Sequence, residues 1–285
     1  MTTHRPTYTT LITPAQLAAL GDAQLAIIDC RHDLARPAWG AGAYREGHIP
    51  GALFASLDSD LSGPVDPGSG RHPLPAPQVL QASFGRWGIG EDVQVIAYDE
   101  RQGSIAARLW WLLRFYGHRA VAVLDGGLAA WRAAGLPLSS EAVGRPQRIF
   151  NGHPEPQRVL GVDELQEGLR RGSVLLIDAR TADRFAGRNE TLDPVAGHVP
   201  GARNHPFTSN LDPQGHWLPA ARLRELWRAS LGDTPPSAVV SMCGSGVTAC
   251  HNLLALEIAG MPGARLYAGS WSEWIRDPAR PVTRD

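Results

Sequence analysis

The sequence predicts two tandem α/β domains, each a parallel sheet with helices on both faces. Three observations carry this expectation: an internal repeat of domain length, apolar strand-like runs alternating with helical patterns, and a proline- and glycine-rich stretch near the middle. Gly47-His48-Ile49-Pro50-Gly51-Ala52 recurs as Gly197-His198-Val199-Pro200-Gly201-Ala202, an offset of 150. Ile27-Ile28-Asp29-Cys30-Arg31 recurs as Leu176-Ile177-Asp178-Ala179-Arg180, an offset of 149. Val95–Asp99 matches Val239–Cys243, and Asp125-Gly126-Gly127 with Trp131 matches Ala268-Gly269-Ser270 with Trp274. Four matches in one order mean a duplicated domain. The expected division is a first domain over 1–140, a linker over 141–158 and a second domain over 159–285. Ser139–Arg158 carries three prolines and two glycines and few apolar residues, which suits an extended linker.

The elements follow from local pattern. Thr13-Pro14 reads as an N-cap with proline in the first helical position, opening a helix over Ala15–Leu20. Leu25–Asp29, Val93–Tyr98 and Val121–Leu124 read as buried strands of the first half, and Val174–Asp178, Ala238–Met242 and Arg265–Tyr267 as those of the second. Gly103–Tyr116 and Gly246–Ala259 are apolar on most sides, as helices packed within a domain are. Ala220–Ser230 is amphipathic, with Leu223, Leu226 and Trp227 on one face.

Composition excludes several chemistries. The chain has 285 residues, and all 27 of its basic residues are arginine. Without lysine there is no Schiff base for pyridoxal phosphate and no P-loop. A net charge of −1 gives no argument for nucleic acid or an anionic membrane as partner. Apolar runs such as Leu109–Leu113 are far short of the ~20 residues that span a bilayer. Three cysteines in a chain this long do not make a disulfide scaffold, and Met1–Thr10 shows no apolar signal core; both fit a reducing, cytoplasmic setting.

The two halves differ most at one place. After Ala238–Met242 comes Cys243-Gly244-Ser245-Gly246-Val247-Thr248, whereas the first half has Asp99-Glu100-Arg101-Gln102-Gly103-Ser104. A cysteine at a strand end, two glycines and an immediate helix allow backbone N–H groups to converge on the sulfur. The helix N-terminus adds its positive dipole, and both effects favour thiolate over thiol. Such a thiolate is a nucleophile, and the same cradle would hold its persulfide. Cys30 and Cys250 lack this context and read as packing residues. A Cys-x5-Arg phosphatase loop is excluded because the sixth residue after Cys243 is Ala249. No Gly-x-Ser-x-Gly elbow, dinucleotide fingerprint or zinc-ligand spacing is present.

The duplicated Gly-His-Ile/Val-Pro-Gly-Ala motif, the Cys243–Thr248 loop and Gly269-Ser270-Trp271-Ser272-Glu273-Trp274 together resemble the two-domain rhodanese-type sulfurtransferases, over roughly residues 10–282. This family contains thiosulfate and 3-mercaptopyruvate sulfurtransferases. The resemblance implies an inactive first domain, a catalytic second domain and a site in the cleft between them. It implies ping-pong sulfur transfer through a Cys243 persulfide to cyanide, thioredoxin or another thiol, with no metal or organic cofactor and a monomer sufficient. The neutral Gly244 and Ser245 resemble the mercaptopyruvate branch. There Ser245 would join a relay with a first-domain histidine, matched to His48, with Asp33 as the candidate acid. Arg184 matches one carboxylate-binding arginine by motif, and Arg188 is the candidate for the second. The backbone of Gly244, Gly246, Val247 and Thr248 would line the donor pocket. The alternative is a non-catalytic rhodanese-like module that binds a partner protein.

Overall fold

A computed structural model describes residues 6–21 and 24–284. Residues 1–5, part of the stretch read above for a signal, lie outside the described residues. The chain forms two compact units, one of residues Met1–Leu61 and Ala76–Pro154, the other of Ser62–Pro75 and Glu155–Asp285.

In the first unit the order is β1 (Leu11–Ile12), α1 (Pro14–Ala18), β2 (Leu25–Asp29), α2 (Trp39–Glu46), β3 (Ala52–Phe54), α3 (Pro77–Arg86), β4 (Gln94–Tyr98), α4 (Ala106–Phe115), β5 (Val121–Leu124) and α5 (Gly127–Ala133). Thr13 caps α1 as expected. Its Oγ1 accepts from Gln16 N at 3.2 Å, and Gln16 Oε1 accepts from Thr13 N at 2.9 Å. The strands pair in parallel in the order β1-β5-β4-β2-β3. The apolar run of α4 is buried throughout, which explains its lack of a polar face. Ile12, Leu25, Ile27, Ile96, Leu124, Leu128 and Trp131 form the core on one face of the sheet.

The second unit repeats this plan. It contains α6 (Val162–Arg170), β6 (Leu175–Asp178), α7 (Ala182–Phe185), β7 (Arg203–Asn204), α8 (Ala220–Leu231), β8 (Val239–Met242), α9 (Thr248–Ile258), β9 (Arg265–Leu266) and α10 (Ser270–Trp274). The sheet order is β7-β6-β8-β9, again all parallel. A parallel bridge from Val159 to Leu266 stands where β1 pairs β5 in the first unit. In both units the order reverses between the second and fourth strand positions, β2/β4 and β6/β8. Loops at the carboxyl ends of those strands are where open α/β sheets bind ligands.

Two expectations about domain organisation differ from the structure. The stretch expected to be a linker is tied to the first unit over much of its length. Phe150 is buried against Phe84 and Tyr116, and Arg148 N donates to Gly85 O at 3.0 Å. Its proline content reports extended backbone, not freedom from packing. Residues 62–75, sequentially within the first half, cluster with the second unit.

The repeated motifs are structural in both halves. Arg31 grips Asp29 and donates to Gly47 O at 2.7 Å; Arg180 grips Asp178 and donates to Gly197 O at 2.8 Å. Both pairs are buried and hydrogen-bonded at every turn, which is what makes a buried ion pair tolerable. His48 Nδ1 lies 2.7 Å from Tyr44 O and its ring stacks on Tyr44. His198 Nδ1 lies 2.8 Å from Phe185 O and stacks on Phe185.

A polar cluster sits inside the second unit. The His205 ring stacks on Trp227 at 3.9 Å, with Nδ1 2.8 Å from Ser230 Oγ and Nε2 3.1 Å from Asn210 Oδ1. Burial pushes this imidazole below its ordinary value, partly opposed by Asn210. In the unfolded chain it would take a proton near pH 6.5, so below that pH the unfolded state binds more protons. Stability is therefore expected to fall as pH drops from about 6.5 toward 5. The His205→Gln protein should show a flatter Tm profile over that range; an unchanged slope would exclude His205 as a contributor.

Candidate active site

Cys243 follows β8, the central strand of its sheet, at the carboxyl end beside the point where strand order reverses. Its thiol is 2% exposed as a residue and accepts from Gly246 N at 3.1 Å and Ser245 N at 3.4 Å. The loop turns back sharply at Gly246, whose φ is +78°. A Cβ there would overlap the carbonyl of Ala268, so glycine is required by both conformation and space. The expected line of donors is only partly realised. Val247 and Thr248 open α9, and no hydrogen bond from their N–H groups to the sulfur is seen.

The loop is held from behind by α10. Trp271 N donates to Cys243 O at 3.0 Å and Ser272 N to Gly244 O at 2.9 Å. Cys243 N donates to Ser270 Oγ at 3.1 Å, and that hydroxyl donates to Tyr267 O at 2.9 Å. Ser270 takes φ +55°, the left-handed region that non-glycine residues seldom adopt, and these two bonds help to hold it there. Cys250, one turn into α9, donates its thiol to Gly246 O at 3.3 Å. It packs beneath the loop, as a supporting residue should.

Two side chains from residues 62–75 complete the site, and the sequence reading singled out neither. Gly70 approaches Gly269 so closely that a Cβ would overlap its carbonyl, and Arg71 N donates to Ser272 Oγ at 3.0 Å. The segment thereby lies along the cysteine loop. His72 Nδ1 is 2.7 Å from Ser245 Oγ. A Cβ at Gly244 would lie 2.9 Å from Arg71 Nη2, and 3.3 and 3.6 Å from Nη2 and Nη1 of Arg184. Two guanidinium groups therefore stand over the residue next to Cys243.

These placements correct three assignments. The ring nitrogens of His48 face backbone carbonyls of Tyr44 and, at 3.2 Å, Glu141, so its motif fixes a turn; the histidine at Ser245 is His72. Arg188 is exposed and pairs with Asp183 at 3.3 Å; the arginine beside Arg184 is Arg71. Asp33 bonds its neighbours Ala35 and Arg36 and serves a local turn. The signal for His72 and Arg71 was thin: a glycine-flanked Arg-His-Pro in a loop, with no spacing relation to Cys243.

Arg184 is anchored by two carboxylates. Its Nε lies 3.0 Å from both Glu190 oxygens, and Nη2 lies 3.0 Å from Asp193 Oδ2. Asp193 Oδ1 pairs with Arg71 Nη1. Burial opposes charge on Glu190, but Arg184 holds its carboxyl below the usual range. Burial pushes the Asp193 carboxyl up, against the pull of Arg71.

The first unit carries the counterpart of the cysteine loop with a carboxylate in place of sulfur. Asp99 accepts from the N–H groups of Gly103 and Ile105 at 2.9 Å and of Arg101 and Ala106 at 3.2 Å. Leu128 N and Ala129 N tie Asp99 O and Glu100 O, as Trp271 and Ser272 tie the second loop. A carboxyl group fills this cradle; burial pushes it up against the pull of the four N–H groups, and no thiol is present there.

Two parallel-sheet units of one topology, one with a cysteine in an amide cradle and one with an aspartate, define a duplicated sulfur-handling scaffold. The chain belongs to the rhodanese-like family: the model for the rhodanese-like domain matches residues 13–134 and 161–277. It is 50% identical over 275 residues to a "Probable 3-mercaptopyruvate sulfurtransferase" of Pseudomonas aeruginosa, covering 95% of this chain and 97% of that relative. It is 33% identical over 236 residues to a thiosulfate sulfurtransferase of Gallus gallus, covering 81% and 80%. The crystal structure of SseA from Escherichia coli, reported with the 3-mercaptopyruvate sulfotransferases, superimposes with TM-score 0.80 at 34% identity, over 93% of this chain and all of that one. Among the described residues no helix is long and apolar enough to cross a membrane, and no three or more His, Cys, Asp or Glu side chains are grouped so as to hold a metal ion.

Proposed function

We propose that this protein is a sulfurtransferase that takes sulfur from 3-mercaptopyruvate, with thiosulfate as a second donor, through a persulfide on Cys243. The observation that carries the reading is the Cys243 thiol in its amide cradle, beside the Ser245–His72 pair and beneath Arg71 and Arg184. The Cys243 thiolate attacks the donor sulfur. The C3–S bond breaks, its electrons pass to C3 as an enolate, and the cradle receives the persulfide. The donor's thiol proton must reach C3 to yield pyruvate, and Ser245 with His72 is placed to carry it. Arg71 and Arg184 hold the carboxylate. Gly244 leaves room for them, and the N–H groups of Ser245 and Gly246 hold the negative charge on sulfur just before the start of α9. Cyanide, or a thiol such as that of thioredoxin, then removes the outer sulfur and restores the thiolate. All named residues belong to one chain, so a monomer suffices, and a reducing cytoplasm would keep the three free cysteines as thiols.

Thiosulfate needs no proton in the first step, since sulfite leaves as it is. Ser245→Ala should therefore slow 3-mercaptopyruvate turnover by about 10²-fold or more, while thiosulfate turnover changes by only a few-fold. Equal losses with both donors would remove the relay from the proposal. The reading itself is tested by intact-mass measurement after donor treatment without acceptor. Gain of one sulfur atom is expected, and an unchanged mass with either donor would favour the protein-binding alternative.

A further inference from the structure

Asp193 bridges the two arginines that stand over Gly244. Its oxygens are divided between them: Oδ1 pairs with Arg71 Nη1 and Oδ2 with Arg184 Nη2. The carboxylate side chain is 2% exposed, so water does not screen it. Behind it, Glu190 takes the Nε edge of Arg184 and reaches Arg180 Nη1 at 3.4 Å, and Arg180 in turn is paired with Asp178. Arg71, Arg180 and Arg184 thus meet Asp178, Glu190 and Asp193, three formal positive charges against three negative. The ends that remain are Arg71 Nη2 and Arg184 Nη1. Both lie beside the space that a Cβ on Gly244 would fill, at 2.9 and 3.6 Å from its position.

We propose that Asp193 sets donor selectivity by bridging Arg71 and Arg184, fixing their spacing for one carboxylate and cancelling a positive charge that a dianionic donor would need. The inference rests on the sulfurtransferase reading above. A cluster already near neutrality offers directed N–H groups more than net charge. A mercaptopyruvate carboxylate carries one negative charge in a planar fork that two guanidinium ends can share. Thiosulfate brings two charges and no such fork, and it would have to enter beside a thiolate without net positive compensation. Asp193 touches neither donor nor sulfur in this arrangement. It acts through the arginines and is a positioning residue.

The test is steady-state kinetics of the full chain with both donors and cyanide as acceptor. In Asp193→Asn the cluster gains one positive charge and loses its bridge. The ratio of kcat/KM for 3-mercaptopyruvate over thiosulfate is expected to fall about tenfold or more, mainly through a higher KM for 3-mercaptopyruvate and a lower KM for thiosulfate. Thiosulfate turnover should also become more sensitive to salt. Asp193→Glu keeps the charge and should hold the ratio within about threefold of the wild type, even where absolute rates drop. Arg71→Met supplies an independent check if Asp193→Asn folds poorly. It removes one of the two guanidinium ends that share the carboxylate and should raise KM for 3-mercaptopyruvate more than for thiosulfate. A ratio that stays constant in Asp193→Asn or Arg71→Met, with both donors losing equally, would overturn the inference and leave the sulfurtransferase reading intact. A folded wild-type protein that turns over neither donor would overturn both.

Discussion

Replacing Cys243 with alanine is expected to abolish sulfur transfer, with kcat/KM falling at least about a thousandfold for both donors and no persulfide detectable by mass. The size of the effect follows from the mechanism, since the transferred sulfur is bonded to this atom alone between the half-reactions. The other two cysteines offer no substitute. Burial pushes the Cys30 thiol well up, and Asp29, Asp99 and Asp60 add to that. Cys250 is buried and gives its S–H to Gly246 O. The loop should survive the change, because its geometry is held by Ser270, Trp271 and Ser272 through the backbone of residues 243 and 244. Near-native Tm is therefore expected beside the lost activity. Persulfide formation that persisted in this variant would move the nucleophile elsewhere and sink the site as described.

Asp99→Ala is expected to destabilise the first unit strongly, costing about 3–5 kcal/mol. The carboxylate takes four backbone N–H groups in a place where little water reaches. Each buried donor left without a partner costs about 1–3 kcal/mol, and partial hydration reduces the sum. Asp99→Asn keeps one acceptor but turns an NH2 toward amide donors, so an intermediate loss is expected. Hydrogen exchange at the amides of residues 101, 103, 105 and 106, alongside denaturant unfolding, localises the effect. Exchange at these amides as slow as in the wild type would mean that the carboxylate is not what protects them. Sulfur transfer is read in parallel, since Asp99 supplies no nucleophile to the reaction.

Where local sequence controls local geometry, the elements were legible. β2 and β5 have the bounds expected from their apolar runs, and the capping box at Thr13 follows from Thr-Pro-x-Gln. Three of the short strands, β1, β3 and β7, were not distinguishable, because two or three residues carry no periodicity; β9, equally short, was found only through its place in the repeat. The cysteine loop was readable for the same reason that it works: strand, cysteine, glycines and helix are contiguous, so the cradle is built within a few residues. The sequence points to His48 where the structure puts His72 beside Ser245, because the repeated motif is conspicuous and the Arg-His-Pro loop is not. His48 and His198 recur since the same turn is needed twice. His72 lies in an Asp-Pro…Gly…Leu-Pro loop whose counterpart, Asp212–Pro219, also carries a histidine, and nothing local in either loop points to Ser245.

The sequence by itself determined the duplication, the parallel α/β architecture of each half, and the placement of a nucleophilic cysteine in one half against an aspartate in the other. All of these are encoded in stretches short enough for backbone preference and hydrophobic pattern to decide. Only the tertiary structure decided which histidine meets Ser245 and which arginine joins Arg184. Those partners lie about 170 residues from the cysteine loop in sequence. They reach it because residues 62–75 pack with the second unit, where Gly70 fits against Gly269 and Asp193 draws Arg71 and Arg184 together. Packing and ion pairing between distant segments leave no local pattern, so the cysteine loop was written in the chain and the side chains gathered around it were not.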